Sequence, residues 1–183
     1  ARPNLNEHIT KEFELMIEVL QVDRARGDKA VQEARRKAYK NANEKLKKYP
    51  SKVENEADAI ECLGAGEMAM HVSEIFDHGG KFKQAREKAA QPRTAALLDL
   101  TRVWGAGGAA AAHWYDKDGI RSIAELRQRV QEEEEQIGRG DWDAAGRVRV
   151  VTAQQLVGLR HLEEFEQRVS REEVEQLSAV VEA

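Results

Sequence analysis

Two Gly-Ala-Gly tripeptides stand out, because glycines at this spacing can build a tight turn between two helices. The first occupies residues 64–66 and the second residues 105–107, and each stands between apolar, helix-like segments. Glycine accepts positive φ angles without steric cost. A helix that starts directly after such a turn presents unpaired N–H groups at the positive end of its dipole. Each turn therefore predicts a site for a phosphate oxygen, with no reading of bases.

A plain helix–turn–helix corner with a glycine cap is the alternative for each turn. One Gly-Xaa-Gly alone does not separate the two interpretations, because the pattern is common. Its repetition within one short chain favours the phosphate-binding interpretation.

The segments that must position these turns are predicted to be helical. The predicted helices run from Asn4 or Asn6 to Gly27, over residues 29–48, 54–60, 67–78 and 94–103, from the Ala run after Gly107 to near Gly119, and over residues 123–136, 152–169 and 171–181, and residues 81–88 form a basic amphipathic segment. Ser170 followed by Glu173 predicts a capping box for the last of them, and only residues 148–151 have a strand-like pattern. The sequence therefore predicts an all-α fold of two small helical subdomains, each with a helix-hairpin-helix motif.

Pro92 marks the predicted boundary between the two domains, residues 4–90 and 91–183. An acidic, glycine-containing insertion near residues 131–150 is expected to be a mobile, solvent-facing loop in the second domain. Within it, Asp141 and Asp143 have the spacing of a carboxylate pair but no preceding strand, so we do not assign them a metal.

Composition limits the classes of protein that fit. The chain has 183 residues, 41% hydrophobic and only 5% aromatic, with a net charge of −4. Such a chain is not a globally basic nucleic-acid binder, so any DNA contact must come from local patches. The single cysteine excludes an internal disulfide framework. No apolar run reaches the length of about 18 residues that would predict a membrane span.

One local patch is strongly basic. The helix predicted over residues 29–48 carries a thin apolar face and a dense cationic one, formed by Arg35, Arg36, Lys37, Lys40, Lys45, Lys47 and Lys48. A solvated charged face is the usual meaning of such a run. Acids are nearly absent between Arg35 and Lys52, which favours a phosphate-facing role.

The combination of motifs resembles the family X DNA polymerases over nearly the whole chain. The matching segments are residues 48–53, Leu63-Gly-Ala-Gly66, Gly80-Lys-Phe82, Leu100-Thr-Arg-Val103 with Gly105-Ala-Gly107, residues 119–126, Gly158-Leu-Arg-His-Leu162 and Ser170-Arg-Glu-Glu173. Their order is similar to the lyase-like N-terminal domain and the fingers region of that family. His113-Trp-Tyr115 is more similar to the lambda, mu and terminal-transferase branch.

The resemblance implies a set of site residues. In the family, the two hairpins hold the DNA backbone through backbone N–H groups and a monovalent cation, Na⁺ or K⁺. The implied phosphate contacts are Gly64, Gly66, Gly105, Gly107, Gly108 and Ala109. The implied cation ligands are the backbone carbonyls of Ile60, Cys62 and Ala65 in the first hairpin and of Thr101, Val103 and Ala106 in the second. Arg35 and Tyr39 match the family's pocket for a 5′-phosphate.

The lyase activity of the family is not expected here. Removal of a 5′-deoxyribose phosphate through a Schiff base needs an amine nucleophile. The corresponding position falls on Val72, or on His71 if the alignment moves by one residue, and neither side chain forms an imine. We therefore expect no lyase activity. The alternative is a displaced lysine, Lys81 or Lys83, acting as the nucleophile.

The resemblance also implies partners and a setting. The family's catalytic palm, with its paired aspartates and Mg²⁺, lies outside this sequence. The stretch is therefore expected to be a non-catalytic part of a nucleotidyltransferase, or a form that has lost its palm. Its expected ligand is gapped or broken double-stranded DNA, in end joining or base excision repair in the nucleus, together with other repair proteins. A helical protein-interaction module without DNA binding is the remaining alternative.

Overall fold

The computed structural model describes residues 3–23, 29–138 and 150–167, and every regular element within them is a helix. The helices are α1 (Glu7–Val22), α2 (Lys29–Lys48), α3 (Glu56–Leu63), α4 (Glu67–Asp77), α5 (Lys83–Ala89), α6 (Pro92–Leu100), α7 (Gly108–Asp116), α8 (Ile123–Gly138), α9 (Ala153–Arg160) and α10 (Leu162–Glu166). The predicted all-α fold is confirmed. The helix-hairpin-helix motifs stay a prediction.

The chain forms two compact units. Unit 1 contains residues 1–101 and 107–122, and unit 2 contains residues 102–106 and 123–183. The structure thus groups α6 and α7 with unit 1, where both contact α1, whereas the sequence placed them after residue 90. The division into domains 4–90 and 91–183 stays a prediction.

The core of unit 1 is built on the apolar stripe of α1. Ile9, Phe13 and Met16 recur at helical spacing and are fully buried. The Phe13 ring meets the Tyr39 ring of α2 edge to face, with centroids 5.3 Å apart. This packing fixes the cationic helix α2 against α1.

Asn6 shows how the start of α1 is held. The predicted choice of Asn4 or Asn6 as the N-cap falls on Asn6, but its side chain makes no capping hydrogen bond. The buried amide instead donates to the Leu46 and Ser51 carbonyls and accepts from the backbone N–H of Val53. Asn6, which the sequence predicts as a capping residue, therefore joins the start of α1 to the end of α2 and the segment after it.

Glu12 fastens α5 onto α1. Its side chain is almost fully buried and accepts hydrogen bonds from the backbone N–H of Phe82, at 2.8 Å, and from the Arg86 guanidinium. A buried carboxylate needs such partners, because desolvation of an unpaired charge is costly. The contact places Phe82 in the aromatic core.

Unit 2 is built around α8 and α9. Leu126, Leu159 and Leu162 are buried, and Thr152 begins α9 with a complete capping box to Gln155. The single helix predicted over residues 152–169 is wrong, because the chain turns at His161 before α10 begins.

Several boundaries differ from the sequence prediction. Helix α6 begins at Pro92, whose missing N–H is harmless in a first turn, and ends at Leu100 rather than residue 103. The acidic run at residues 132–135 belongs to α8, in agreement with the predicted helix over residues 123–136 and not with the predicted loop near residues 131–150. Asp141, Asp143 and the Ser170–Glu173 capping box lie outside the described residues.

Candidate nucleic-acid interface

Arg35 and Tyr39 lie one turn apart on α2, so their side chains share a face. Tyr39 is fully buried, and its hydroxyl reaches His71 of α4. Burial raises the pKa of the Tyr39 hydroxyl and the charge of the nearby Arg35 guanidinium opposes that rise, while the Arg35 side chain keeps part of its surface in solvent. The two residues predicted for a 5′-phosphate pocket therefore lie side by side on one face of α2.

His71 completes this cluster. Its ring stacks nearly parallel on Tyr39, with centroids 5.6 Å apart and planes 9° apart. The Tyr39 hydroxyl and His71 Nδ1 are 3.0 Å apart. The tautomer with hydrogen on Nε2 lets Nδ1 accept from Tyr39, while Nε2 faces the Glu67 carboxylate at 3.8 Å. We call Arg35, Tyr39, His71 and Phe82 the α2–α4 cluster.

Burial sets the protonation of the cluster. It raises the pKa of Tyr39 far above its ordinary value of 10.0, although the Arg35 charge opposes the rise. Burial also lowers the pKa of His71 below 6.5, against the opposing pull of Glu67 and Glu74. The hydroxyl therefore stays protonated and the imidazole neutral near pH 7, so the Arg35 guanidinium supplies the positive charge of the cluster.

Val72 points into the core. Its side chain is fully buried among apolar residues, with Ala69 and Ile75 of the same helix. The position aligned with the family's lysine is thus a packing position here. Lys81 and Lys83 are exposed, and Lys83 pairs with Glu87 at 3.9 Å.

The cationic face of α2 is exposed over most of its length. Lys37, Lys40, Lys45 and Lys48 are exposed, whereas Arg36 is half-buried and pairs with Glu33. Lys47 binds Glu14 of α1 at 3.0 Å. The helix carries eight basic residues against two glutamates, so the ion pairs leave a strong local excess of positive charge.

The first Gly-Ala-Gly turn joins α3 to α4 in three exposed residues. Gly64 has φ +87° and ψ +157°, a region open essentially to glycine alone. Gly66 has an extended backbone that any residue adopts. One glycine of the predicted pair is therefore required by the turn geometry and the other is not.

The second turn has the same backbone pattern. Gly105 has φ +83°, and Gly107 is extended and caps α7. Ala106 donates its N–H to the Val103 carbonyl at 2.8 Å. A Cβ at Gly105 would lie 3.0 Å from the Gln154 side chain, and the Gln155 amide donates to the Gly105 carbonyl.

The N-terminus of α7 lines a cavity in unit 1. Gly107, Gly108 and Ala109 border it together with Lys29 of α2, and its volume is about 530 Å³. The first turn of α7 contains no acidic residue. Its free N–H groups and the Lys29 ammonium can both attract an anion, so three predicted phosphate-binding residues share one surface.

The predicted cation sites stay a prediction, and the described hydrogen bonds reach two of the six carbonyls. The Ile60 carbonyl accepts a hydrogen bond from the Gly64 N–H, and the Val103 carbonyl accepts one from Ala106. Each oxygen has a second lone pair. Cys62 is half-buried, and burial raises the pKa of its thiol. Of the second set, Thr101 belongs to unit 1, and Val103 and Ala106 to unit 2.

The sequence reasoning missed two residues of the interface. Phe82 lies 5.0 Å from the His71 ring, centroid to centroid, and forms a wall of the α2–α4 cluster. Glu12 holds Phe82 in place through its backbone N–H. An acid within the apolar stripe of α1 is the signal that could have revealed Glu12, because a buried charge demands a partner.

Comparison with known proteins gives relatives of one kind. The chain is 29% identical over 180 residues to DNA polymerase lambda of Rattus norvegicus, covering 97% of this chain and 26% of the relative. It is 26% identical over 181 residues to DNA polymerase lambda of Arabidopsis thaliana, covering 98% and 29%. It is 30% identical over 94 residues to the DNA polymerase type-X family protein pol4 of Schizosaccharomyces pombe, covering 51% and 18%.

These matches confirm the resemblance found in the sequence. No family model matches the chain. The chain spans less than a third of the length of each of these relatives. Among the described helices, none has the length and apolar character that crossing a membrane requires.

Proposed function

From the homology of this chain to family X DNA polymerases, we propose that it is the part of such an enzyme that binds gapped or broken DNA. The observation that carries the proposal is the position of Arg35 one turn before Tyr39, whose hydroxyl meets His71, on a strongly basic helix. A guanidinium held at a half-exposed position is well suited to a terminal phosphate.

The binding is directed to the DNA backbone. Unit 1 receives a 5′-phosphate at Arg35 and backbone phosphates along α2 and at the N-terminus of α7. Backbone N–H groups and lysines read no base edges, so the affinity is independent of sequence. The backbone carbonyls at each Gly-Ala-Gly turn would hold Na⁺ or K⁺, which would offset the negative charge of a phosphate there.

We further propose that the chain has no lyase activity of its own. The buried Val72 supports this proposal, because it offers no amine where the family has its lysine. The setting we propose is gap filling in nuclear DNA repair, with end joining favoured over base excision because the lyase lysine is missing. Polymerisation itself belongs to the palm, where Mg²⁺ is bound.

A direct test titrates the full chain against a duplex with a one-nucleotide gap, with and without a 5′-phosphate on the downstream strand. We expect the phosphate to tighten binding about tenfold, which corresponds to about 1.4 kcal/mol. Arg35→Gln should abolish this preference. The matched control is Lys40→Gln, which removes an exposed cation from the same helix. It should lower the affinity for both duplexes by the same factor.

Two results would overturn parts of the proposal. Equal affinity for both duplexes in the wild-type chain would remove the 5′-phosphate site and leave only a generic backbone contact. A borohydride-trapped covalent adduct with 5′-deoxyribose phosphate DNA, lost in Lys81→Ala or Lys83→Ala, would establish the displaced-lysine lyase instead.

A further inference from the structure

Two large aromatic side chains of unit 2 are exposed side by side. Trp104 is 53% exposed and Phe165 is 54% exposed. Their ring centroids are 5.8 Å apart and their planes are tilted by 54°. Contiguous exposed apolar surface of this kind marks interaction sites in soluble proteins. We call Trp104 and Phe165 the aromatic pair.

The place of Trp104 in the chain indicates which ligand reaches the aromatic pair. Trp104 stands between Val103, a predicted cation ligand, and Gly105, a predicted phosphate contact. Consecutive Cα atoms are only about 3.8 Å apart. A DNA strand whose phosphate lies at Gly105 therefore passes directly beside the indole ring, so the surface continues the DNA contact proposed above.

The backbone of Trp104 is held firmly in this position. Gly158 of α9 lies directly against it, so that a Cβ there would be 2.3 Å from the Trp104 carbonyl oxygen. The neighbouring Gly105 carbonyl accepts a hydrogen bond from the Gln155 amide at 3.2 Å. A surface that is ordered before binding loses less entropy when a ligand covers it.

The acidic residues beside Phe165 do not exclude a DNA strand. Each of the three glutamates of α10 has a partner within unit 2. The pairs are Arg102–Glu166 and Arg127–Glu163, each with a 2.6 Å contact, and His161–Glu164, at 3.1 Å. Two of these carboxylates are neutralised by a guanidinium, so they repel a phosphate backbone much less than free carboxylates would.

The exposed rings favour an unpaired base over a paired one. Inside a duplex both faces of each base are covered by its neighbours, whereas an unpaired base has a free face. Aromatic side chains beside a surface that binds the backbone are the combination with which proteins hold single strands. Every base has such a face, so stacking is as indifferent to sequence as the phosphate contacts.

Given the DNA-binding function proposed above, on which this inference rests, we propose that the aromatic pair stacks on an unpaired base of the strand held at the second Gly-Ala-Gly turn. Trp104, next to the turn, makes the main contact, and Phe165 extends it. The site selects DNA that has unpaired nucleotides, such as a broken end with a single-stranded overhang, over fully paired duplex.

The test compares two single strands of equal charge, each of about ten nucleotides. One is oligo-dT, and the other has the same phosphates with an abasic sugar at every position. Anisotropy of a label on the DNA gives each Kd for the full chain at one salt concentration. We expect oligo-dT to bind about tenfold more tightly, because only this strand offers bases to the rings.

Nuclear magnetic resonance locates the contact. Oligo-dT should shift the indole N–H resonance of Trp104, which Trp104→Phe assigns, and the abasic strand should shift it less. The buried Trp114 of unit 1 is the internal reference, and its resonance should stay in place.

Variants test the two rings separately. Trp104→Ala should remove the preference for oligo-dT, Trp104→Phe should keep most of it, and Phe165→Ala should reduce it in part. Met70→Ala removes an exposed apolar side chain from unit 1 and should keep the full preference. Circular dichroism verifies that each variant is folded.

The fully paired gapped duplex, measured in parallel, separates this inference from the function on which it rests. Equal Kd values for oligo-dT and the abasic strand, with the gapped duplex still bound, would overturn the stacking site alone. No binding to any of these DNAs at low salt would overturn both. A dimer in sedimentation that Trp104→Ala dissociates would assign the aromatic pair to a second copy of this chain instead.

Discussion

The two Gly-Ala-Gly turns have the same sequence and both begin with a glycine at positive φ, but they differ in what surrounds them. In both, the first glycine has φ near +85°, at +87° and +83°, and the second is extended. No atom lies within 4 Å of a Cβ placed at Gly64 or Gly66. Around the second turn, Gly105 faces Gln154, and Gly158 approaches the preceding Trp104.

This difference separates two reasons for a glycine. The first glycine of each turn is needed for its positive φ angle, which the tripeptide pattern itself indicates. Gly158 and Gly108 are needed for space, since a Cβ would meet the Trp104 backbone in one case and the Gln21 carbonyl in the other. Only tertiary packing reveals the second reason.

The largest effect should come from Gly158→Ala. A Cβ 2.3 Å from a backbone oxygen cannot be accommodated without moving α9, and we expect the free energy of unfolding to fall by about 3 kcal/mol. Urea unfolding followed by circular dichroism measures it. Gly107→Ala, with an extended backbone and open space, is the control and should change stability by less than about 0.5 kcal/mol. Equal losses of unfolding free energy in Gly158→Ala and Gly107→Ala would show that Gly158 is not needed for space.

The next effect concerns the positive φ angles. Gly64→Ala and Gly105→Ala should each destabilise the fold by about 2 kcal/mol, the cost of a side chain in a backbone region reserved for glycine. Thermal unfolding compares them with Gly66→Ala, whose extended backbone accepts alanine. A harmless Gly64→Ala would show that the open first turn relaxes to a different conformation.

No neighbouring residue packs against the first turn, from which α4 and His71 continue. The α2–α4 cluster therefore needs support from elsewhere in unit 1, and Glu12 gives part of it by binding the Phe82 N–H. Burial alone raises the pKa of Glu12, but hydrogen bonds from Arg86 and the Phe82 N–H, with the charges of Arg86 and Lys81, bring the pKa below its ordinary value of 4.5. The unfolded chain therefore binds the proton more tightly. Stability from Glu12 is complete above pH 4.5 and is lost as the pH falls through the lowered pKa.

Glu12→Gln should remove this contribution, about 1.5 kcal/mol, at neutral pH and flatten the acid limb of the stability curve. Urea unfolding at several pH values between about 3 and 7 measures the difference between the variant and the wild type. Parallel curves for the two proteins would show that the buried carboxylate is not the group that titrates.

The smallest loss of stability is expected from removing a helix N-cap near each of the two Gly-Ala-Gly turns. The Asn55 side chain accepts the N–H of Asp58 at the start of α3, before the first turn. Thr152 accepts the N–H of Gln155 at the start of α9, beside the second turn. Alanine at either position should cost about 1 kcal/mol in thermal unfolding. A much larger loss for Thr152→Ala would show that its cap also secures the Gln155 bond to Gly105.

The sequence predicted the elements well because they depend on local patterns. Apolar spacing indicated α1, α2 and α8, and the Gly79-Gly80 pair at the end of α4 has the positive φ angles of a helix end. It missed the turn at His161. Residues 132–135 were assigned both to the predicted helix over residues 123–136 and to the acidic insertion, and the structure shows the helix.

The site was only partly predictable for a related reason. Arg35 and Tyr39 lie on one helix face, so their proximity follows from spacing. The stacking of His71 on Tyr39, the wall made by Phe82 and the support of Glu12 join α1, α2, α4 and the start of α5. No local pattern encodes which residues meet across four segments of the chain.

The most direct test of the account is the salt dependence of binding to the phosphorylated gapped duplex. Neutralisation of several phosphates predicts that log K falls linearly with log salt, with a slope of about −0.9 per phosphate, and that two duplexes of unrelated sequence give the same line. A salt-independent affinity, or no binding at low salt, would contradict the DNA-binding function and leave the protein-interaction module as the account of this chain.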